Sequence, residues 1–150
     1  MTEVPVREAT PEDVAEITAM VREHAAYEQA ADRCHFDERS GGSALFGELS
    51  TLRALIVFPE AEPEIAAGCT LWYPTFSSWA ATGGAWVEDL YVRPQYRRHG
   101  FGREMLRVLR TMVEGRIEWD VHVTNDAARR FYLRLGAEPV TEWMKFRWLP

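Results

Sequence analysis

No Cys-x-x-Cys pair and no Cys/His spacing suited to zinc occurs in this 150-residue chain; Cys34 and Cys69 stand apart and read as free thiols. No apolar run approaches the ~20 residues that span a bilayer. Residues 1–10 carry Glu3, Arg7 and Glu8 where a signal peptide has its apolar core. These absences predict no metal, no membrane association and a cytoplasmic setting. Internal repeats and low-complexity segments are also missing. So is the Gly-Lys-Ser/Thr of a Walker loop, and so are the three glycines of a dinucleotide fingerprint. The formal net charge of -6 argues against nucleic acid as a partner and suits a cationic one.

What is present is the balance of a globular protein, 47% apolar and 27% charged residues, in a length that fits one domain spanning residues 1–150. Residues 4–7 read as a short first strand. Thr10-Pro11-Glu12-Asp13 then opens a helix with a capping residue, Pro in the first turn and acids beside it. Val14, Ile17, Met20, Val21 and His24 recur at three- and four-residue steps, which makes one inward stripe, and that helix is expected to end near Ala30. Residues 34–42 are polar and run into Ser40-Gly41-Gly42-Ser43, a predicted mobile loop before a short helix over 44–49. Strands follow over 52–58, 65–73 and 85–92, an antiparallel meander with connections at 59–64 and 76–84. A helix over 103–114 turns Met105, Leu106, Leu109 and Val113 inward. Ile117, Trp119, Val121 and Val123 alternate with polar residues, the period of a fifth strand. Asn125-Asp126 caps a helix over 127–135 that Gly136 closes, and 143–148 is predicted as a final strand.

Chemistry concentrates where the strand over 85–92 feeds Arg97-Arg98-His99-Gly100-Phe101-Gly102 and then a helix. Such a junction gathers unpaired backbone N–H groups and the positive helix end, which bind anions. Gly100 and Gly102 clear space for a pyrophosphate, and Arg97, Arg98 and Arg103 add charge. Glu88-Asp89, just upstream, fits either a solvated strand end or a proton acceptor; strand alternation favours Glu88 over Asp89 unless a bulge intervenes. Tyr132 fits either core packing or an acid role. Asp120 and His122 share a strand face, with no role assigned. The six tryptophans suit a core or a dimer interface.

The run Val87-Glu88-Asp89-Leu90-Tyr91-Val92-Arg93-Pro94 through Gly102, with the downstream Asn125-Asp126-Ala127-Ala128-Arg129-Arg130-Phe131-Tyr132-Leu133-Arg134-Leu135-Gly136-Ala137, resembles the GNAT (Gcn5-related) N-acetyltransferases over nearly the whole chain. Ala26-Tyr27-Glu28, Glu88-Asp89, Tyr96-Arg97-x-x-Gly100-Phe101-Gly102-x-Glu104 and Glu142-Trp143 are similar to the diamine (spermidine/spermine) and thialysine acetyltransferases. That resemblance implies an α/β (α+β) fold with a mixed, mostly antiparallel sheet of about six to seven strands. About four helices flank it, and it splays between the fourth and fifth strands. It implies acetyl-CoA as cosubstrate, direct transfer to a primary amine of a small molecule, and a homodimer. Peptide acetylation and a silent CoA-binding regulatory domain are the alternatives. Glu88 is implied as base and Tyr132 as proton donor to the leaving thiolate. Leu90, Tyr91, Val92, Arg97, Arg98, His99, Gly100, Phe101, Gly102, Arg103, Asn125, Phe131 and Arg134 are implied in CoA binding, with the Leu90 N–H meeting the oxyanion. Tyr27, Glu28, Trp79, Asp89, Glu142 and Trp143 are implied around the amine. Phe76-Ser77-Ser78-Trp79 departs from the family's Tyr-Asp-Pro-Trp by losing an acid.

Overall fold

A computed structural model describes residues 5–150; Val4, the start of the expected first strand, lies outside them. The chain divides into two compact units, Met1–Trp119 and Asp120–Pro150.

In the first unit the order is β1 (Val6–Glu8), α1 (Val14–Tyr27), α2 (Glu38–Phe46), β2 (Arg53–Val57), β3 (Gly68–Ser77), β4 (Thr82–Val92), α3 (Phe101–Met112) and β5 (Ile117–Glu118). The sheet runs β1-β2-β3-β4-β5 in space. Its first four strands are antiparallel, and β5 joins β4 in parallel. This is the mixed, mostly antiparallel sheet that the resemblance implies, with five strands among the described residues rather than six or seven. Two groups of apolar side chains cover its faces. Ile17 and Met20 of α1 and Leu45 of α2 pack with Ala54, Ile56, Cys69, Leu71 and Tyr91. Phe101 and Met105 of α3 pack with Val57 and Ala67. Each fully buried large apolar side chain contributes about 1.5–3 kcal/mol, so the strand alternation that divides these residues between two helical layers decides the fold.

Three expectations need correction here. The segment 40–43 is helix, not loop: α2 starts at Glu38, because Asp37 accepts the Ser40 N–H at 2.7 Å and the Ser40 hydroxyl engages Asp37 in return. Gly41 is needed inside that helix because a Cβ there would lie 2.7 Å from the Phe36 ring and 3.4 Å from the Thr18 hydroxyl. The helix over α1 stops at Tyr27 rather than near Ala30, since Gln29 takes φ 56° and turns the chain. The connection over 76–84 shrinks to residues 78–81, because β3 and β4 pair as far as Ser77 and Thr82.

The strand expected from Ile117 to Val123 is only Ile117–Glu118, paired with Ala85 and Trp86. Close approach makes that short pairing: the Gly115 N–H reaches the Gly83 carbonyl at 2.7 Å and the Ala85 N–H reaches that of Arg116 at 3.0 Å. A Cβ on Gly115 would meet the Gly83 carbonyl at 2.6 Å. Among the described residues the β4–β5 pairing ends there, which is the expected splay. In the second unit α4 (Asp126–Leu135) is capped by the Asn125 side chain, which accepts the Ala128 N–H at 3.1 Å, and ends in Gly136 at φ 94°. Residues 143–148 form no strand, and Trp143, Met144, Phe146 and Trp148 are exposed. A β-rich composition makes a strand only where a ladder partner exists.

Candidate functional site

Two carboxylates on β4 come together through a fault in the sheet. Leu71 pairs with Asp89 but Trp72 pairs with Val87, so Glu88 is an extra residue without a register partner on β3. A bulge of this kind breaks strict alternation and re-aims side chains. Thr70, wholly buried, donates its hydroxyl to the Asp89 carbonyl at 2.8 Å and pins it. Glu88 and Asp89 then line one open recess of about 460 Å³, whose wall also includes His24, Glu28, Arg33 and Cys34. Asp89 is not turned to the opposite face, as simple alternation would have had it.

Within the recess the Asp89 carboxylate contacts His24 Nδ1 at 3.0 Å. His24 Nε2 is 3.9 Å from Glu28 Oε1, one helical turn on. The Tyr91 ring stacks on the imidazole at 5.4 Å; burial pushes its phenol pKa upward, with the Glu23 charge adding to that. On its other side Glu88 accepts the Trp86 indole N–H at 3.1 Å. His24 entered the sequence reading only as one more residue of the inward stripe. The signal available for it was a titratable residue on an apolar face four residues before Glu28.

The strand leaves the sheet through Arg93, whose role the sequence reading also missed. Its guanidinium bonds Glu23 at 2.9 Å, Glu16 at 2.5 Å and the carbonyl of buried Ala66 at 3.0 Å. Both glutamates raise its already high pKa, so it stays charged. The loop beyond is unusual in its backbone. Arg98 takes φ 67° and Gly100 φ 84°, and α3 begins with no side-chain hydrogen bond at its N-cap, unlike α2 and α4. Among the described residues a Cβ on Gly100 would meet nothing within 4 Å, so the space beside Gly100 is open. Arg98, His99 and Arg103 are exposed around it, and His99 Nδ1 lies 2.8 Å from the Arg97 carbonyl. An open, uncapped helix start with left-handed turns on its approach fits a diphosphate.

Other residues named for the donor or the amine make contacts of their own in the first unit. The Phe101 ring is in the core beneath α3, edge-on to Tyr96. Arg97 donates from Nε to the Val92 carbonyl at 2.9 Å and lays its guanidinium over Tyr27 at 4.6 Å. Tyr27 thus closes the end of α1 against the loop. Leu90 and Val92 pack towards the α3 side, whereas Tyr91 joins the α1 side. Trp79 is at the hairpin tip, exposed, and Ser77 accepts the Ala80 N–H at 3.2 Å to close that turn. Neither lines the recess; the six steps along β4 from Thr82 to Glu88 amount to ~20 Å of strand.

In the second unit Asn125 caps α4, and the Phe131 and Tyr132 rings meet edge-on at 5.1 Å. Arg134 is in its last turn. Glu142 and Trp143 are exposed beyond it. Asp120 and His122, considered as a pair on one strand face, are engaged separately: Asp120 by Lys145, His122 by the Thr124 hydroxyl.

Residues 16–137 match the Acetyltransferase (GNAT) family. Over 159 aligned positions the chain is 29% identical to the thialysine N-epsilon-acetyltransferase of Mus musculus and 30% identical to that of Sus scrofa. Each alignment covers 98% of this chain and 93% of the relative. The L-ornithine N5-acetyltransferase of Arabidopsis thaliana is 39% identical over 83 residues, 53% of this chain and 36% of that one. Among solved structures, an integron cassette protein of V. cholerae superposes with a TM-score of 0.80 at 20% identity, covering 100% of this chain and 94% of its own. An aminoglycoside acetyltransferase from an uncultured soil metagenomic sample gives 0.78 at 12% identity, covering 99% and 97%. Both share the fold.

Proposed function

Since the chain belongs to the acetyltransferase (GNAT) family and is an N-acetyltransferase, we propose that it moves an acetyl group from acetyl-CoA to the primary amine of a small diamine, polyamine or amino-acid-like amine. The observation that carries the acceptor class is the recess in which the β4 bulge gathers Glu88 and Asp89 with Glu28. Against the Arg33 guanidinium on the same wall, three carboxylates leave the opening net negative, which favours a cation. The named activities of the relatives, on thialysine and on ornithine, support the same class. The loop at 97–102 takes the diphosphate, with Gly100, Gly102 and the amides of α3 facing it and Arg98 and Arg103 beside it. Val92 and Asn125 hold the pantetheine arm.

Acetyl-CoA supplies the activated acetyl thioester. The amine arrives as an ammonium, with a pKa near ~10.4 for an alkylamine in water, and must lose a proton before it can attack. Glu88, oriented by the Trp86 indole, receives that proton directly or through water. The Leu90 N–H faces the developing oxyanion, and the Tyr132 hydroxyl gives a proton to the departing sulfur. The family match runs from residue 16 to 137, across both compact units, which supports treating them as one functional domain. A cytoplasmic homodimer completes the reading.

One assay tests it: CoA thiol release with acetyl-CoA and a panel of spermidine, putrescine, thialysine, ornithine, an aminoglycoside and a basic peptide. Transfer is expected to the small diamines and diamino acids; transfer to the peptide alone overturns the acceptor class. In the same assay Tyr132→Phe is expected to lower kcat about 10²-fold, while calorimetry finds acetyl-CoA affinity unchanged. Wild-type turnover in that variant removes Tyr132 from the chemistry.

A further inference from the structure

We propose that His24, held by Asp89, is the base that takes up the amine's proton before it passes to solvent. The inference deepens the amine-acetylation reading and rests on it. Its ground is geometric. A carboxylate only accepts hydrogen bonds, so the 3.0 Å contact between Asp89 and His24 Nδ1 puts a proton on Nδ1. In the neutral ring the lone pair is then on Nε2, which lies 3.9 Å from Glu28 Oε1, beyond hydrogen-bond reach of it. His24 and Asp89 are both sheltered, with side-chain exposures of 22% and 23%, yet both line the open recess with Glu88. The stacked Tyr91 ring holds the imidazole plane from the side of the sheet. A carboxylate that orients an imidazole and fixes its tautomer, leaving the second nitrogen to accept a proton, is the arrangement by which histidine acts as a general base.

The chemistry calls for such a group. An alkylammonium titrates near ~10.4, a free imidazole near ~6.5 and a free glutamate near ~4.3. Imidazoles as a class therefore match the amine better than carboxylates do. In the step, an N–H bond of the ammonium breaks and its electron pair stays on the amine nitrogen. The proton passes by way of Glu88 or water to His24 Nε2, forming an imidazolium that Asp89 and Glu28 balance. It leaves to solvent through the open side of the recess. The bulge is a precondition, since without the extra residue at Glu88 the Asp89 carboxylate would face away from α1.

The test uses H24N, whose amide keeps a donor for Asp89 but accepts no proton, and H24A. With an amine that the wild type acetylates, H24N is expected to lose about 10²-fold in kcat with KM within about twofold, and added imidazole is expected to restore turnover to H24A. Nitrogen-15 NMR of the free protein is expected to show the Nδ1–H tautomer of His24, lost in D89N. Wild-type kcat in H24N, or an Nε2–H tautomer in the wild type, overturns the assignment and leaves amine acetylation standing. Failure of the wild type with every amine overturns the function reading instead, and this inference with it.

Discussion

Asp13 shows how much one side chain does at the start of the chain. Buried at the entrance to α1, it accepts two bonds from Arg7, at 2.7 and 2.9 Å, and the Thr10 N–H at 2.7 Å. The Arg7 bonds, ahead of the Thr10 amide, hold its carboxyl below the usual aspartate range. A depressed carboxylate contributes stability that is present above its unfolded pKa, ~3.9, and is lost as pH falls through the folded value. Asp13→Asn is therefore expected to cost about 1.5 kcal/mol at pH 7, discounted because Arg7 is 47% exposed. Urea denaturation at stepped pH is expected to show the gap from wild type closing below pH ~4. In the sequence Thr10-Pro11-Glu12-Asp13 was legible as a helix start, but the partner six residues upstream was not, because strand-to-helix pairing depends on how β1 meets α1. His24 is the same case on a larger span, since the partner that gives it chemical meaning is 65 residues away.

At the level of elements, α4 and α3 were readable because their signals are local: Asn125 and Gly136 bracket one, and Met105, Leu106 and Leu109 face the core from the other. The helix α2 was not, because Gly41 and Gly42 weaken a helix by ~1 kcal/mol each and only neighbouring chain explains them. The two glycines have opposite expected responses. Gly42→Ala would place its Cβ 3.8 Å from Val14, an ordinary contact, and is expected to stabilise by about 0.5–1 kcal/mol. Gly41→Ala would press on Phe36 at 2.7 Å and is expected to destabilise by about 1–2 kcal/mol despite its better helix propensity. Thermal and urea unfolding of the two variants check this, and equal shifts would show that packing against Phe36 and Thr18 does not set the helix position. The bulge in β4 belongs here too. The sequence admitted it at Glu88-Asp89 without announcing it, because register is settled between strands rather than along one.

Across the larger compact unit, Arg93 ties α1 to the end of β4 and to the buried Ala66 carbonyl, at the point where the strand gives way to the proposed phosphate loop. Arg93→Met removes three partners at once and leaves Glu16 and Glu23 facing each other. The expected loss is about 2 kcal/mol, less than for a fully buried pair because those glutamates are 40% and 37% exposed. Urea unfolding measures the loss, and a change within about 0.5 kcal/mol would reduce the network to surface decoration. Such a network is invisible in sequence, where Arg93 is one of many arginines. The two short-lived strand expectations have the same cause. Residues 119–123 and 143–148 carry strand-like composition, and composition cannot supply a ladder partner.

The loop at 97–102, the helix behind it, the order of strands and helices as far as α4 and the family itself were determined by the sequence alone. Each rests on local chemistry: glycines that permit left-handed turns, caps that end helices, and alternation that chooses a face. The tertiary structure decided which acids share a recess, that Asp89 turns towards α1, and that His24 stands between Asp89 and Glu28. The physical reason is that a bulge and a helix-to-strand contact are relations between segments distant in sequence, and they take their geometry from the packing of the sheet against α1.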